Sequence, residues 1–282
     1  MNYRHIYHAG NFADVLKHAV LTLVIEHLKM KPAPFRVIDT HAGIGSYDLS
    51  SIEAQKTGEW REGIGRILGA RLHDEAARLL APYLEIVRRE NQAGGIARYP
   101  GSPLIARSLL RAGDRLVVNE LHPEDSLKLS SLFAGDPQTK VLSHDGWDAV
   151  KALLPPKERR GVALIDPPFE EPGEFGRLTQ ALRDAHKRFA TGTIILWYPI
   201  KDQRAVDAFL DSIVATDMPK ILSVIMMVRG LEQTTGLAGT GLVISNPPFT
   251  LVPSLEVLLP FLVRLLAQGR GARTDVTWLK QE

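Results

Sequence analysis

Four short runs of this chain climb from apolar residues to an acidic one: Phe35 to Asp39, Leu116 to Glu120, Val141 to Asp145 and Val162 to Asp166. A short apolar run bounded by turn residues reads as a strand buried on both faces, which is the condition of a parallel sheet. Parallel strands need crossovers, and stretches of helical spacing lie between these runs. Further strands are expected at Thr193 to Tyr198, Ile221 to Met227 and Gly241 to Ser245. The fold class that satisfies the pattern is α/β, Rossmann-like, with a mostly parallel seven-stranded sheet. Open sheets of this kind bind ligands beyond the carboxyl ends of their strands, so the terminal acids stand where a ligand would meet them.

The last of the four runs continues as Asp166-Pro167-Pro168-Phe169. Two consecutive prolines fix an extended path and remove two N–H donors, so a carbonyl in the turn is free to point at a ligand. Methylation of an exocyclic amine needs such a turn. The amino nitrogen of adenine or cytosine is a poor nucleophile because its lone pair is delocalised into the ring. A carboxylate and a fixed carbonyl can accept both of its hydrogens and align the nitrogen with a methyl donor. The aromatic residue offers a face for a base taken out of its stack.

A second copy, Asn246-Pro247-Pro248-Phe249, follows the run Gly241 to Ser245 and has equal chemical merit. The order of the other motifs chooses between them. The first strand runs into Asp39-Thr40-His41-Ala42-Gly43-Ile44-Gly45, a glycine loop that lets a nucleoside ligand approach the backbone. The second strand supplies Glu120 for ribose hydroxyls, and the third ends at Asp145, able to accept from an adenine amino group. Glycine loop, acid, acid, Asp-Pro-Pro-Phe is the order of an S-adenosylmethionine-dependent methyltransferase. The first turn is therefore assigned to the acceptor. The second is expected to be a structural turn walling the substrate cleft.

Helices are expected from Asn11 to Lys29 (amphipathic, capped by Asn11 or Asp14), His73 to Asn91, Ser102 to Leu110, Trp147 to Leu154, Glu174 to Phe189 and Gln203 to Ala215. A last apolar helix, Ser254 to Gln268, should break or kink at Pro260. Roughly seventy residues separate the first two strands, far beyond the ~2–6 of an ordinary connection. They suggest three parts: residues 1–45 as substrate arm, helix and glycine loop, 46–113 as an inserted helical subdomain, and 114–282 as the rest of the catalytic domain. Arg61, Arg66, Arg71, Arg88, Arg89 and Arg98 of the insertion are possible phosphate contacts.

The absence of cysteine excludes disulfides and thiolate chemistry, and a net charge of +2 confines any nucleic-acid binding to a local patch. No run approaches a membrane span and the first residues are polar, so a cytoplasmic protein is expected. His5, His8 and His18 invite a metal reading, but carboxylates at ligand spacing are missing, and no metal is expected.

The opening Tyr3-Arg4-His5 with His8-Ala9-Gly10-Asn11 and Ala13-Asp14-Val15-Leu16-Lys17-His18 closely resembles the RlmJ-type bacterial 23S ribosomal RNA adenine-N6 methyltransferases. So do Asp39-Thr40-His41-Ala42-Gly43, Tyr99-Pro100-Gly101-Ser102-Pro103, Glu120-Leu121-His122-Pro123 and Leu196-Trp197-Tyr198-Pro199. The resemblance spans essentially the whole chain. It implies S-adenosylmethionine contacts at His18, His41, Ser102, Glu120, Asp145 with Gly146, and Asp166, beside Gly43 of the glycine loop. It implies Asp166 as the acceptor of the amino proton, with Tyr3, His5 and Lys17 shaping the substrate side. Pro167, Pro168 and Phe169 would hold the base, although tyrosine is common where Phe169 stands. The partner so implied is 23S ribosomal RNA, bound by a monomer. A DNA adenine-N6 methyltransferase would share the whole apparatus, and sensitivity to 2′-hydroxyls would separate the two.

Overall fold

The computed structural model describes residues 4–72, 74–233 and 236–281. A short 3-10 turn (His5–Tyr7) leads into α1 (Phe12–Lys29), followed by β1 (Arg36–Asp39) and β2 (Ser46–Asp48). Helices α2 (Ile52–Thr57), α3 (Glu59–Glu62), α4 (Ile64–Gly69) and α5 (Asp74–Arg89) come next, then β3 (Arg98–Pro100) and α6 (Ser102–Leu109). Strands and helices alternate through β4 (Arg115–Asn119), α7 (Pro123–Leu132), β5 (Thr139–Leu142), α8 (Gly146–Leu153), β6 (Gly161–Ile165) and α9 (Glu174–Phe189). The chain closes with β7 (Thr193–Ile200), α10 (Gln203–Val214), β8 (Ile221–Met227), β9 (Gly239–Ser245), α11 (Leu251–Leu266) and β10 (Arg273–Lys280).

The main sheet runs β10-β8-β9-β7-β6-β1-β4-β5, while β2 and β3 pair as a separate antiparallel ribbon. From β7 to β5 every pairing is parallel. Strand β9 lies antiparallel to both β7 and β8. All seven expected strands form, and the sheet has an eighth. Strand β10 pairs antiparallel with β8 at the sheet edge, where exposure and the charges of Arg273, Asp275 and Lys280 hide it from a search for apolar runs. Inward residues alternate along the parallel strands. Val37, Leu116 and Leu164 join one core with α1, α5, α6 and α11. Ile38, Val117 and Ala163 join another with α9 and α10.

Helix α1 is capped by Asn11, whose side chain accepts from the amides of Ala13 (2.9 Å) and Asp14 (3.0 Å). It departs from the expected amphipathic stripe. Sheet on one side and α5, α6 and α11 on others bury it almost all round, including the polar Asp14, Lys17, His18 and Thr22. Buried polar groups are generally paired; Asp14, Lys17 and His18 are, and they build part of the site. Helix α11 also continues unbroken across Pro260, because Leu255, Leu258, Leu259, Leu262 and Leu266 anchor it on both sides of the missing hydrogen bond. Helix α5 likewise contains Pro82, and its expected first residue, His73, lies outside the described residues. No helix among the described residues is long and apolar enough to cross a membrane.

Candidate active site

Because β5, β4, β1 and β6 are parallel neighbours, their carboxyl ends line up, with Asp145, Glu120, Asp39 and Asp166 at or just beyond them. A cavity of about 330 Å³ opens over this rim. Its lining brings together His5, Lys17, His18, His41, Gly43, Ser102, Glu120, Asp145, Gly146, Asp166, Pro167 and Pro168. One expected member, Phe169, is not with them, and another, Tyr3, lies outside the described residues. The Phe169 ring turns away, packs edge-on against Phe175 (5.0 Å) and Trp197 (5.8 Å), and lines a smaller cavity of about 130 Å³. Its backbone is left-handed, with φ +52°, a conformation that costs a non-glycine residue ~1–3 kcal/mol and swings the ring out of line with Asp166. The insertion arginines do not border the large cavity either: Arg66, for example, holds Glu62 (2.7 Å) and the carbonyl of Ala267 (2.6 Å).

On one side of the cavity Glu120 is fixed by two backbone donors, Gly43 N–H at 2.8 Å and His122 N–H at 2.7 Å. Burial still pushes its carboxyl up, and its remaining lone pairs are available to hydroxyl donors. Gly43 has φ +60°, and an added Cβ would stand 2.2 Å from the Tyr47 hydroxyl oxygen. Asp145 caps α8 through the amide of Trp147 (2.7 Å). At Gly146 a Cβ would sit 2.4 Å from Nε2 of His41 and 2.8 Å from the Thr40 carbonyl, so only glycine lets the loops close. Burial lowers the His41 imidazole to about 4 and His18 to about 3, so both rings are neutral at pH 7. His18 Nδ1 meets the Tyr99 hydroxyl (2.6 Å), which meets that of Tyr83 (2.8 Å).

Opposite these groups, Lys17 Nζ lies 2.5 Å from Asp166 Oδ2 and 2.8 Å from Asp14 Oδ1, 5.8 Å from the centre of the Trp197 ring. Burial would lower the Lys17 pKa, but the two carboxylates raise it above its ordinary value. His5 Nε2 lies 2.9 Å from Asp14 Oδ2. Sequence reasoning left three further residues without a site role. Asp14 carries the signal of an acid one turn before Lys17. Asp39 ends β1 and accepts from Ser102 Oγ (2.6 Å). Asn119 donates to the carbonyls of Thr40 (3.0 Å) and His144 (3.0 Å), clamping two rim loops together.

Burial raises the Asp39 carboxyl to about 7; the Ser102 hydrogen bond opposes this and the charge of Asp166 reinforces it. The unfolded chain releases that proton near 3.8, so this group's contribution is present at low pH and is lost as pH rises from about 4 towards 7. Asp39→Asn should therefore flatten the pH dependence of urea stability over about pH 4–7. A variant curve parallel to wild type would show that Asp39 ionises freely.

The second Pro-Pro-Phe turn is excluded from this site. Strand β9 runs antiparallel to β7, so Asn246 emerges beside the start of β7, at the opposite rim from Asp166. Its side chain donates to the Thr191 carbonyl (2.9 Å) and its N–H to that of Lys220 (2.8 Å). It is a structural turn, as expected, but it does not wall the cleft.

A mostly parallel sheet with antiparallel β9 inserted near one end and antiparallel β10 at that edge, a row of acids on its rim and an Asp-Pro-Pro turn beside a glycine loop define a class I methyltransferase. Residues 32–280 match the family described as Ribosomal RNA large subunit methyltransferase D, RlmJ. The chain belongs to this family. Over its full length it is 42% identical to proteins of Haemophilus influenzae and of Escherichia coli, each named "Ribosomal RNA large subunit methyltransferase J" and each covered completely. A crystal structure of a Legionella pneumophila protein, 31% identical, superposes with a TM-score of 0.85 over 96% of this chain and 98% of that one.

Proposed function

We propose that this chain methylates N6 of a specific adenine in 23S ribosomal RNA, with S-adenosylmethionine as donor. The observation that carries the reading is the shared cavity: Asp166 and its proline turn face Glu120, Asp145 and the glycine loop across one space. The residues present fit the donor. Glu120 has lone pairs for ribose hydroxyls, Asp145 an acceptor for an amino group, and Gly146 the missing Cβ that a close ligand needs. His18, His41 and Ser102 border the same space. Bound there, S-adenosylmethionine supplies an electrophilic methyl group on a sulfonium centre.

This chain's own residues then act on the adenine. Oδ2 of Asp166 is taken by Lys17, which leaves Oδ1 for a hydrogen of the amino group. That hydrogen bond localises the nitrogen lone pair, and the same oxygen accepts the proton released after methyl transfer. Pro167 and Pro168 hold the carboxylate on an inflexible turn. Tyr3, His5 and Lys17 shape the space for an unstacked base, and Phe169 must rotate from its present packing to stack on it. The segment 46–113 is read as an inserted subdomain whose arginines contact phosphates. The enzyme is read as a monomer, and the substrate places it in the cytoplasm.

The test is transfer from labelled S-adenosylmethionine to unmodified 23S ribosomal RNA, followed by digestion to nucleosides. Label in N6-methyladenosine is the expected result. Transfer to DNA but not to RNA would overturn the substrate while leaving the chemistry intact.

A further inference from the structure

We propose that Asp14 is a positioning residue of the acceptor site, pinning the Lys17 ammonium against Asp166 and tying the His5 turn to the same cluster. The proposal rests on the reading of Asp166 as the acceptor of the amino hydrogen. Asp14 is only 1% exposed, yet both of its oxygens are in use. Oδ1 receives Lys17 at 2.8 Å, while Oδ2 lies 2.9 Å from His5 Nε2 and accepts the Gly10 amide at 2.9 Å. The Gly10 amide it accepts belongs to the helix N-terminus that Asn11 caps, but neither task calls for the contact with Lys17. A carboxylate buried this deeply is costly unless it has work that no apolar residue could do.

The geometry defines that work. An ammonium bound to one carboxylate can pivot among rotamers, whereas one held from opposite sides cannot. Lys17 bridges Asp14 and Asp166, so the acceptor carboxylate is fixed through its Oδ2 and Lys17 by a residue that lines no part of the cavity. The groups facing Asp14 are His5 from the 3-10 turn, Lys17 and His18 on its own helix, Tyr83 from α5 and Tyr99 from β3, with Asp166 beyond Lys17. Burial would raise the Asp14 carboxyl, but His5 and Lys17 hold it well below the usual range, so it is anionic whenever the enzyme works.

Asp14→Asn in the full-length chain keeps the shape and one of the two acceptor oxygens but removes one of the two anions that keep Lys17 protonated. We expect kcat to fall on the order of 10–100-fold while affinity for S-adenosylmethionine, read by calorimetry, changes less than about threefold. The pH–rate profile should acquire an alkaline limb below the ordinary lysine value of ~10.4, because burial now outweighs Asp166 alone. A kcat loss with an unmoved pH profile would reduce Asp14 to a structural role and overturn the proposal. If the single variant folds poorly, Lys17→Met and Asp14→Asn/Lys17→Met are compared: equal kcat supports action through Lys17, and a further loss overturns it. NMR titration of the Lys17 side chain in wild type and Asp14→Asn reads the clamp without substrate. It separates failure of this inference from failure of the methylation reading itself.

Discussion

Asp166→Ala should lower kcat for methyl transfer by about 10³-fold or more at saturating cofactor and RNA, while Asn246→Ala stays near wild type. Acid–base groups that act in the transition state contribute ~10²–10⁴ in rate. Asp166 adds to this a positioning role, because its carboxylate is the end of the Lys17 bridge that faces the cavity. Cofactor affinity should weaken as well, since Asp166 borders the same space, so the comparison is made on kcat. Asn246 holds the chain between β9 and α11 with φ +50°, so its alanine variant loses some stability. It is assayed well below its unfolding temperature. An active Asp166→Ala together with an inactive Asn246→Ala would reverse the assignment of the two turns.

Lys17→Met should destabilise the fold by about 3–5 kcal/mol, on the order of a 10 °C fall in melting temperature. The substitution keeps the length of the side chain but strands Asp14, 1% exposed, with its Oδ1 unpaired in the core. Asp166 loses its ammonium partner as well, although it is less buried. The sign with pH follows from both partners. Lys17 has its folded pKa raised, so its contribution is fully present below about 10.5 and is lost at higher pH. Asp14 has its folded pKa lowered, so its contribution is present above 3.8 and fades below it. The gap between wild type and Lys17→Met, read by thermal unfolding monitored by circular dichroism, should therefore be widest near neutrality and narrow towards pH 3. A variant as stable as wild type at pH 7 would mean the bridge carries no net energy.

Much of this molecule was legible in local patterns. Strands β1, β4 and β6 announced themselves as apolar runs ending on acids, because a strand buried on both faces must be apolar along its length. The glycine loop, Glu120, Asp145 and Asp166 followed from strand ends, since parallel polarity puts every such end on one rim. Less was legible where a residue's partner is distant in sequence. Lys17 and Asp166 are 149 positions apart, and nothing near either names the other. The burial of α1 on nearly every side could not be read from its own spacing, because helices from later in the chain cover the face that would have been wet.

The sequence by itself determined the α/β class, the order of the ligand-binding strand ends and the two candidate proline turns, all of which depend on short-range periodicity and backbone restriction. Only the tertiary structure decided that Asn246 lies on the wrong rim, that an eighth strand closes the sheet edge, that Phe169 is turned aside and that Asp14 stands behind Lys17. Strand direction and side-chain partnership are set by which distant segments pack together, and no local stretch of chain carries that information.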